Sequence, residues 1–312
     1  MEQRRLGRSG LKVSAVGIGC NNFGSRCDRS ATQAVVDAAI GQGITLFDTA
    51  DVYGNQQSET LLGAALGERR KQVVIATKFA MPTGMTVHDR GGSRRYILAA
   101  VEASLSRLGT DYIDLYQMHA PDPDTPIDET LGALDDLVRH GKVRYIGCSN
   151  FSGWQIADAD WTARSTNGVR FVSAQNHYSL LERGIETEVL PSCERFGLGV
   201  LPFFPLASGM LTGKYRRNEA PPSGTRLAQV GRLAERALNE RNFTIVEALT
   251  VFAAERGHNL LDLAFGWLLT KPLISSVIAG AMSAAQVEAN VAAAPWRLDA
   301  ADLASVDAIT KR

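Results

Sequence analysis

Ile44-Thr-Leu-Phe47-Asp48-Thr-Ala-Asp-Val-Tyr53-Gly54 is an apolar run that stops on an acid, with a phenol and then a glycine on the loop that follows. Residues 44–47 have the length and composition of a buried strand. Similar runs return along the chain at 13–19, 73–77, 112–118, 143–149, 171–175, 199–204 and 276–280, which makes eight with the first. They are rich in Val, Ile, Phe and Tyr, as suits a parallel sheet covered on both faces. The spacing of apolar residues predicts helices over 31–41, 56–66, 96–108, 128–140, 189–196, 244–256, 260–269, 283–294 and 300–309. Gly67, Gly109 and Gly141 stand just past three of these, where a helix end favours glycine.

Strand and helix in this alternation read as an α/β chain folded into a (β/α)8 TIM barrel. Residues 4–12, with Ser9-Gly10 as the turn, add an N-terminal β-hairpin, and 300–309 form an extra C-terminal helix. The whole of 1–312 reads as a single domain. A doubly wound sheet is the structural rival and wants a glycine fingerprint opening its first helix. Gly17-Ile-Gly19-Cys-Asn-Asn22 lacks the third glycine, and no helix follows at once. The interval 214–242 is irregular and rich in Arg, Pro and Gly at its start, which predicts a long functional loop of the lid kind.

Lys plus Arg equals Asp plus Glu at 33 each, so net charge makes no case for nucleic acid or an acidic membrane. No apolar stretch approaches the ~18 residues of a membrane span. The start, Met1-Glu-Gln-Arg-Arg, lacks the apolar core of a signal peptide. Cys20, Cys27, Cys148 and Cys193 are scattered and read as reduced thiols of a cytoplasmic protein. No His/Cys cluster has metal-ligand spacing, and no metal is expected.

Barrels gather their reacting groups at the carboxyl ends of the strands. The second run ends at Asp48 with Tyr53 on its loop, the third at Lys78, the fourth at His119, the fifth at Ser149-Asn150 and the sixth at Gln175-Asn176. Each alone has an ordinary explanation as a solvated, capping or packing residue. Together an acid, a phenol, an amine and an imidazole would face one mouth. An ammonium ~4 Å from the phenol oxygen, at an effective dielectric of ~20, favours phenolate by ~4 kcal/mol before desolvation, up to about three pKa units. Asp48 would keep Lys78 charged, His119 would hold a substrate oxygen, and Tyr53 would give its proton to a carbonyl oxygen. Attack at the carbonyl carbon then needs a partner. No activated Ser or Cys is evident, and a hydride from a nicotinamide cofactor fits.

Along nearly its whole length the sequence resembles the aldo-keto reductases. The resemblance is carried by Phe47-Asp48 to Tyr53-Gly54 with Ser58-Glu59, by Ala-Thr-Lys78-Phe, and by Thr110-Asp-Tyr-Ile-Asp-Leu-Tyr-Gln-Met-His119. Gly141-Lys-Val-Arg-Tyr-Ile-Gly-Cys-Ser-Asn150-Phe, Gln175-Asn-His-Tyr178 and Pro205-Leu-Ala-Ser-Gly-Met-Leu-Thr-Gly-Lys214-Tyr follow in order. The resemblance implies a catalytic tetrad of Asp48, Tyr53, Lys78 and His119. It implies a dinucleotide lying across the mouth, its carboxamide held by Ser149, Asn150 and Gln175 and its ring stacked on Phe203. Asn22, Leu206, Ser208, Gly209, Leu211, Lys214, Gly280, Ser283, Gln286 and Asn290 would complete the cofactor site. Phe203 stands where many relatives have Tyr, and Phe204 where Ser is common.

NADP is the cofactor implied, with NAD as the alternative. No Lys or Arg lies between Ile278 and Asn290 to take a 2′-phosphate, and Lys214, Arg216, Arg217 or Arg226 would have to compensate. The substrate expected is a small carbonyl or the matching alcohol, its pocket walled by Asn22-Phe23, 79–92 and 214–242, with little C-terminal tail to cover it. The other reading is a cofactor-binding regulatory subunit, since potassium-channel β subunits resemble this group.

Overall fold

The computed structural model describes residues 1–311. Two short strands, β1 (Gln3–Arg5) and β2 (Lys12–Ser14), pair antiparallel with Arg4 opposite Val13. Eight parallel strands follow: β3 (Val16–Gly19), β4 (Leu46–Asp48), β5 (Val74–Phe79), β6 (Ile113–Met118), β7 (Val143–Ser149), β8 (Ser173–Gln175), β9 (Gly199–Val200) and β10 (Val277–Gly280). Their order is β10-β3-β4-β5-β6-β7-β8-β9. The ring closes where Val200 bridges Ile274: Val200 N–H donates to Leu273 O at 2.9 Å and Ser275 N–H to Val200 O at 3.0 Å. This is the (β/α)8 barrel that the alternation predicts.

The helices are α1 (Arg29–Gly41), α2 (Gln57–Leu66), α3 (Arg94–Leu108), α4 (Ile127–Arg139), α5 (Gly153–Ser165), α6 (Val189–Phe196), α7 (Arg226–Gln229), α8 (Gly231–Ala237), α9 (Glu240–Ala254), α10 (Leu260–Leu269), α11 (Ala284–Ala292) and α12 (Ala300–Thr310). Among the described residues, no helix is long and apolar enough to cross a membrane.

Strand alternation sorts the side chains into two cores. Phe47, Ile75 and Phe79 pack outward among the helices. Leu46, Val74, Ala76, Leu115, Leu201 and Ile278 cluster inside the barrel, and Leu6 and Val13 from the hairpin join them, so the hairpin stoppers the amino-terminal end. Lys78 follows Val74 and Ala76 by the same two-residue step, which turns it inward at the opposite end. Gly7, at φ 58°, brings the hairpin loop against the barrel: a Cβ there would sit 2.5 Å from Gly197 O. The tight turn lies at Gly7-Arg8, closed by Ser9 N–H to Leu6 O at 3.2 Å, two residues ahead of the expected Ser9-Gly10.

Four other expectations change. The single run expected at 13–19 serves two strands, β2 in the hairpin and β3 in the barrel. β9 stops at Val200, because Pro202 has no N–H to give a neighbour and Phe204 turns left-handed at φ 51°. Helix α5 went unpredicted because its apolar pattern misleads. Trp154 and Trp161 are 65% and 59% exposed, while Asp160 is buried beside Ile156, Ala159 and Ala163. The interval 214–242 is less irregular than expected and holds α7 and α8, with Leu227 as a buried anchor.

Candidate active site

The loop after β4 carries Asp48 to Tyr53 and is pinned to β5. Thr49 N–H donates to Ala76 O at 2.8 Å and Asp51 N–H to Lys78 O at 3.3 Å. Gly54, at φ 57°, ends the loop against the exit of β3, where a Cβ would meet Phe23 O at 2.3 Å, so no other residue fits without moving backbone. This seats the phenol over the barrel mouth.

Lys78 is fully buried and its three N–H bonds are accounted for: Asp48 Oδ2 at 2.6 Å, Thr49 O at 2.8 Å and Tyr53 Oη at 3.3 Å. The other Asp48 oxygen, Oδ1, accepts from Gln175 Nε2 at 2.8 Å and from Gln117 Nε2 at 3.1 Å. Burial is the largest influence on Lys78 and works against its charge, but Asp48 and then Tyr53 outweigh it, so the amine titrates above its usual value. For Tyr53 burial again comes first and raises the phenol; Lys78 pulls it down, Asp48 lifts it again, and it ends above its usual value. The expectation of a net-lowered phenol is therefore corrected. Asp48 neutralises Lys78 at contact distance, so Tyr53 faces a nearly neutral pair rather than a bare cation.

His119 follows β6, its N–H donating to Phe79 O at 2.8 Å. Its ring stands edge-on to Tyr53, with centroids 5.7 Å apart. Burial and then the Lys78 charge push it down to about 3, so the imidazole is neutral at physiological pH. Its Nδ1 is buried without a partner.

These groups open on a cavity of about 770 Å³. Asp48, Tyr53 and His119 line one end; Lys78 lies behind Tyr53 and does not reach the wall. Asn22, Ser149, Asn150, Gln175, Phe203, Leu206, Ser208, Gly209, Lys214, Gly280, Gln286 and Asn290 line the rest. Leu211 and Ser283 lie elsewhere: Leu211 is buried in the helix-facing core, and the Ser283 hydroxyl accepts from Gln286 N–H as the cap of α11. Asn150, at φ 60°, donates through Nδ2 to His119 O at 2.9 Å. Phe203 has His177 stacked on it at 5.4 Å and Phe204 against its edge at 5.3 Å. Of the cations expected to compensate, Lys214 and Arg226 reach the cavity. Arg216 does not line it, and Arg217 is bound outward by Glu240, Glu247 and Thr244. Phe23 and Phe79 are buried in the core and leave the wall to others.

Several participants escaped sequence reasoning. Gln117 could have been noticed as the lone amide in the apolar run 112–118. Arg26 lines the cavity and donates to Gly224 O at 2.6 Å, tying the β3 loop to the segment before α7. The Arg226 guanidinium lies 4.7 Å from the centre of the Phe204 ring. Buried Asp51 and Glu59 and half-buried Arg107 form a set behind β5 that only the fold brings together. Among the described residues, no group of His, Cys, Asp and Glu is arranged to hold a metal ion.

The Aldo/keto reductase family profile matches residues 15–311. The chain is 38% identical over 299 residues, 94% of this chain and 91% of the other, to a probable voltage-gated potassium channel subunit beta of Oryza sativa subsp. japonica. It is 38% identical over 310 residues to the uncharacterized oxidoreductase YrpG of Bacillus subtilis, covering 96% and 93% of the two chains. With the L-glyceraldehyde 3-phosphate reductase of Escherichia coli K12 the identity is 33% over 305 residues, 94% and 87% of the two chains. A barrel whose strand ends bring Asp48, Tyr53, Lys78 and His119 together, matched by a family profile over nearly its whole length, belongs to the aldo/keto reductase family.

Proposed function

We propose that the protein transfers hydride between NADP(H) and a small aldehyde or ketone, with Tyr53 as the proton donor in reduction and the acceptor in oxidation. The observation that carries this is the orientation of the phenol. Lys78 donates to the Tyr53 oxygen, which leaves the phenol's own proton free for the cavity. A phenol held above its usual pKa stays protonated at neutral pH, which suits the reductive direction. Asp48 fixes Lys78, with both of its oxygens already engaged. Neutral His119 on the same wall offers a hydrogen bond to the carbonyl without adding charge. Stabilising negative charge on the carbonyl oxygen and delivering a proton to it are the two tasks of the site.

The wall suits a nicotinamide dinucleotide. Phe203 is buttressed by His177 and exposes surface to the cavity for an aromatic ring. The amides of Asn150 and Gln175 lie beside it. Arg26, Lys214 and Arg226 line the cavity, and none of the three has a carboxylate partner among the described residues, which favours an anionic occupant. Lys214, Arg226 and Arg26 are the candidates for the phosphates of either cofactor; NADP is proposed from the family, with NAD as the alternative. When bound, the nicotinamide supplies or accepts the hydride. Four buried free cysteines fit a reducing compartment such as the cytoplasm.

The test is an absorbance assay of purified protein with NADPH and NADH over a panel of aldehydes, ketones and sugars. Turnover should fall by at least about 10³-fold in Tyr53→Phe while the dissociation constant for NADPH stays within about threefold. Undiminished turnover in that variant defeats the assignment. A second reading, a regulatory subunit that binds cofactor with little turnover, is favoured by the potassium-channel β-subunit names among the relatives. NADPH binding with no turnover across the whole panel would select it.

A further inference from the structure

On the helix side of β4 and β5, behind the tetrad, sits a second set of ionisable groups that no step above uses. Asp51 is 1% exposed and Glu59 is fully buried. Glu59 accepts from the Thr77 hydroxyl at 2.5 Å and from Arg107 Nε at 2.7 Å. The Tyr96 hydroxyl donates to Asp51 Oδ2 at 3.2 Å, whereas Asp51 Oδ1 and the nearby Tyr116 hydroxyl have no partner. The groups facing Asp51 are thus Glu59 from α2, Tyr96 and Arg107 from α3, and Tyr116 from β6. The one guanidinium pairs with Glu59, and no cation is bonded to Asp51, so its buried carboxylate carries an uncompensated negative charge unless a proton is held there.

The set is tied to the tetrad through the backbone. Thr77 immediately precedes Lys78, Asp51 N–H holds Lys78 O at 3.3 Å, and Asp51 lies on the loop between Asp48 and Tyr53. We propose that Asp51 is a positioning residue for the Tyr53–Lys78 pair, seating its loop on β5 while it carries a proton and disturbing that seat when the proton leaves. This rests on the reading of the tetrad as a hydride-transfer site. Burial, and after it the charge of Glu59, raises the Asp51 carboxyl to about 7. The phenol and amine of the site titrate above their usual values and the imidazole at about 3. None of these three gives the rate a break near neutral pH.

The experiment compares wild type, Asp51→Asn and Asp51→Ala in kcat/KM for carbonyl reduction, and in thermal midpoint, as functions of pH. Wild-type kcat/KM should fall at least about fivefold between about pH 6 and about pH 8.5. In Asp51→Asn, which mimics the protonated acid, that break should shrink to less than about twofold. Asp51→Ala should be slower at every pH, and the Asn variant should recover most of that loss. The folded protein holds this proton more tightly than the unfolded chain, so its stability relative to Asp51→Asn should decline as pH rises from about 4 to about 7. An unchanged break in Asp51→Asn, or a midpoint difference that does not move with pH, overturns the proposal while leaving the tetrad intact. Absence of wild-type turnover, by contrast, removes the hydride-transfer reading first and the positioning role with it.

Discussion

The two walls of the cavity are built on different physical terms. On the β4–β5–β6 side, Asp48, Lys78 and Gln117 are buried and joined by hydrogen bonds of 2.6 to 3.1 Å, and the loop that carries Tyr53 is pinned twice to β5. On the β9 side the backbone is left-handed at Phe204, Ala207, Ser208 and Gly209. The segment beyond it is held by Arg26 to Gly224 O, by Tyr215 accepting from Leu227 N–H at 3.4 Å, and by Arg226 against Phe204. Left-handed non-glycine residues cost of order 1 kcal/mol or more each, and such strain persists where the surroundings impose it. Under the proposed function the first wall would fix atoms for chemistry, and the second, held by few ties, would be shaped around the cofactor.

If that division is right, damage to the two walls must appear in different parameters. Lys78→Met should give the largest effect, a fall in kcat/KM of about 10²–10⁴-fold with the NADPH dissociation constant within a few-fold. Steady-state kinetics and equilibrium binding on the same preparation check it, and a loss confined to binding would erase the distinction. His119 gives a stability signature for the first wall. Its folded pKa of about 3 lies below the ordinary 6.5, so the unfolded chain takes up a proton that the folded one refuses. The stability it contributes is complete above about 6.5 and should decline as pH falls toward about 3, by roughly 3–5 kcal/mol. Chemical denaturation at a series of pH values should show this slope flattened in His119→Asn.

On the second wall the effects are smaller and should fall on binding. Arg226→Ala should weaken NADPH by about tenfold, roughly 1.4 kcal/mol, with kcat little changed and a shallower salt dependence. Phe204→Ser removes the ring beneath that guanidinium and should weaken NADPH by about two- to fivefold, the ~0.5–1 kcal/mol of an exposed cation–π contact. In an Arg226→Ala background the same change should add almost nothing, because the partner is already gone. A kcat effect larger than the binding effect in either variant would show that the second wall also fixes reacting atoms.

The barrel was legible because its strands are short apolar runs, and five of them stop on polar residues, where Asp48, Lys78 and His119 sit. The rest was hidden for physical reasons. Helix α5 turns Trp154 and Trp161 outward and Asp160 inward, the reverse of the usual sorting. The segment before α9 hides two short helices behind a Pro- and Gly-rich start. Glu59 and Arg107 are 48 positions apart, and their pairing exists only once α2 packs on α3. The sense of the Tyr53 shift could not be read from residue types, because it depends on how closely Asp48 shields Lys78 and how dry the phenol is.

The stoppered end of the barrel has a practical consequence. Leu6 and Val13 seal the inside at the pole opposite Tyr53, so under the proposed function molecules would come and go by the mouth. The exposed amino terminus marks the pole away from that traffic. A protein tethered to a bead or electrode through Met1 therefore holds its doorway outward, and immobilisation at this end should leave exchange with the surrounding solution unobstructed.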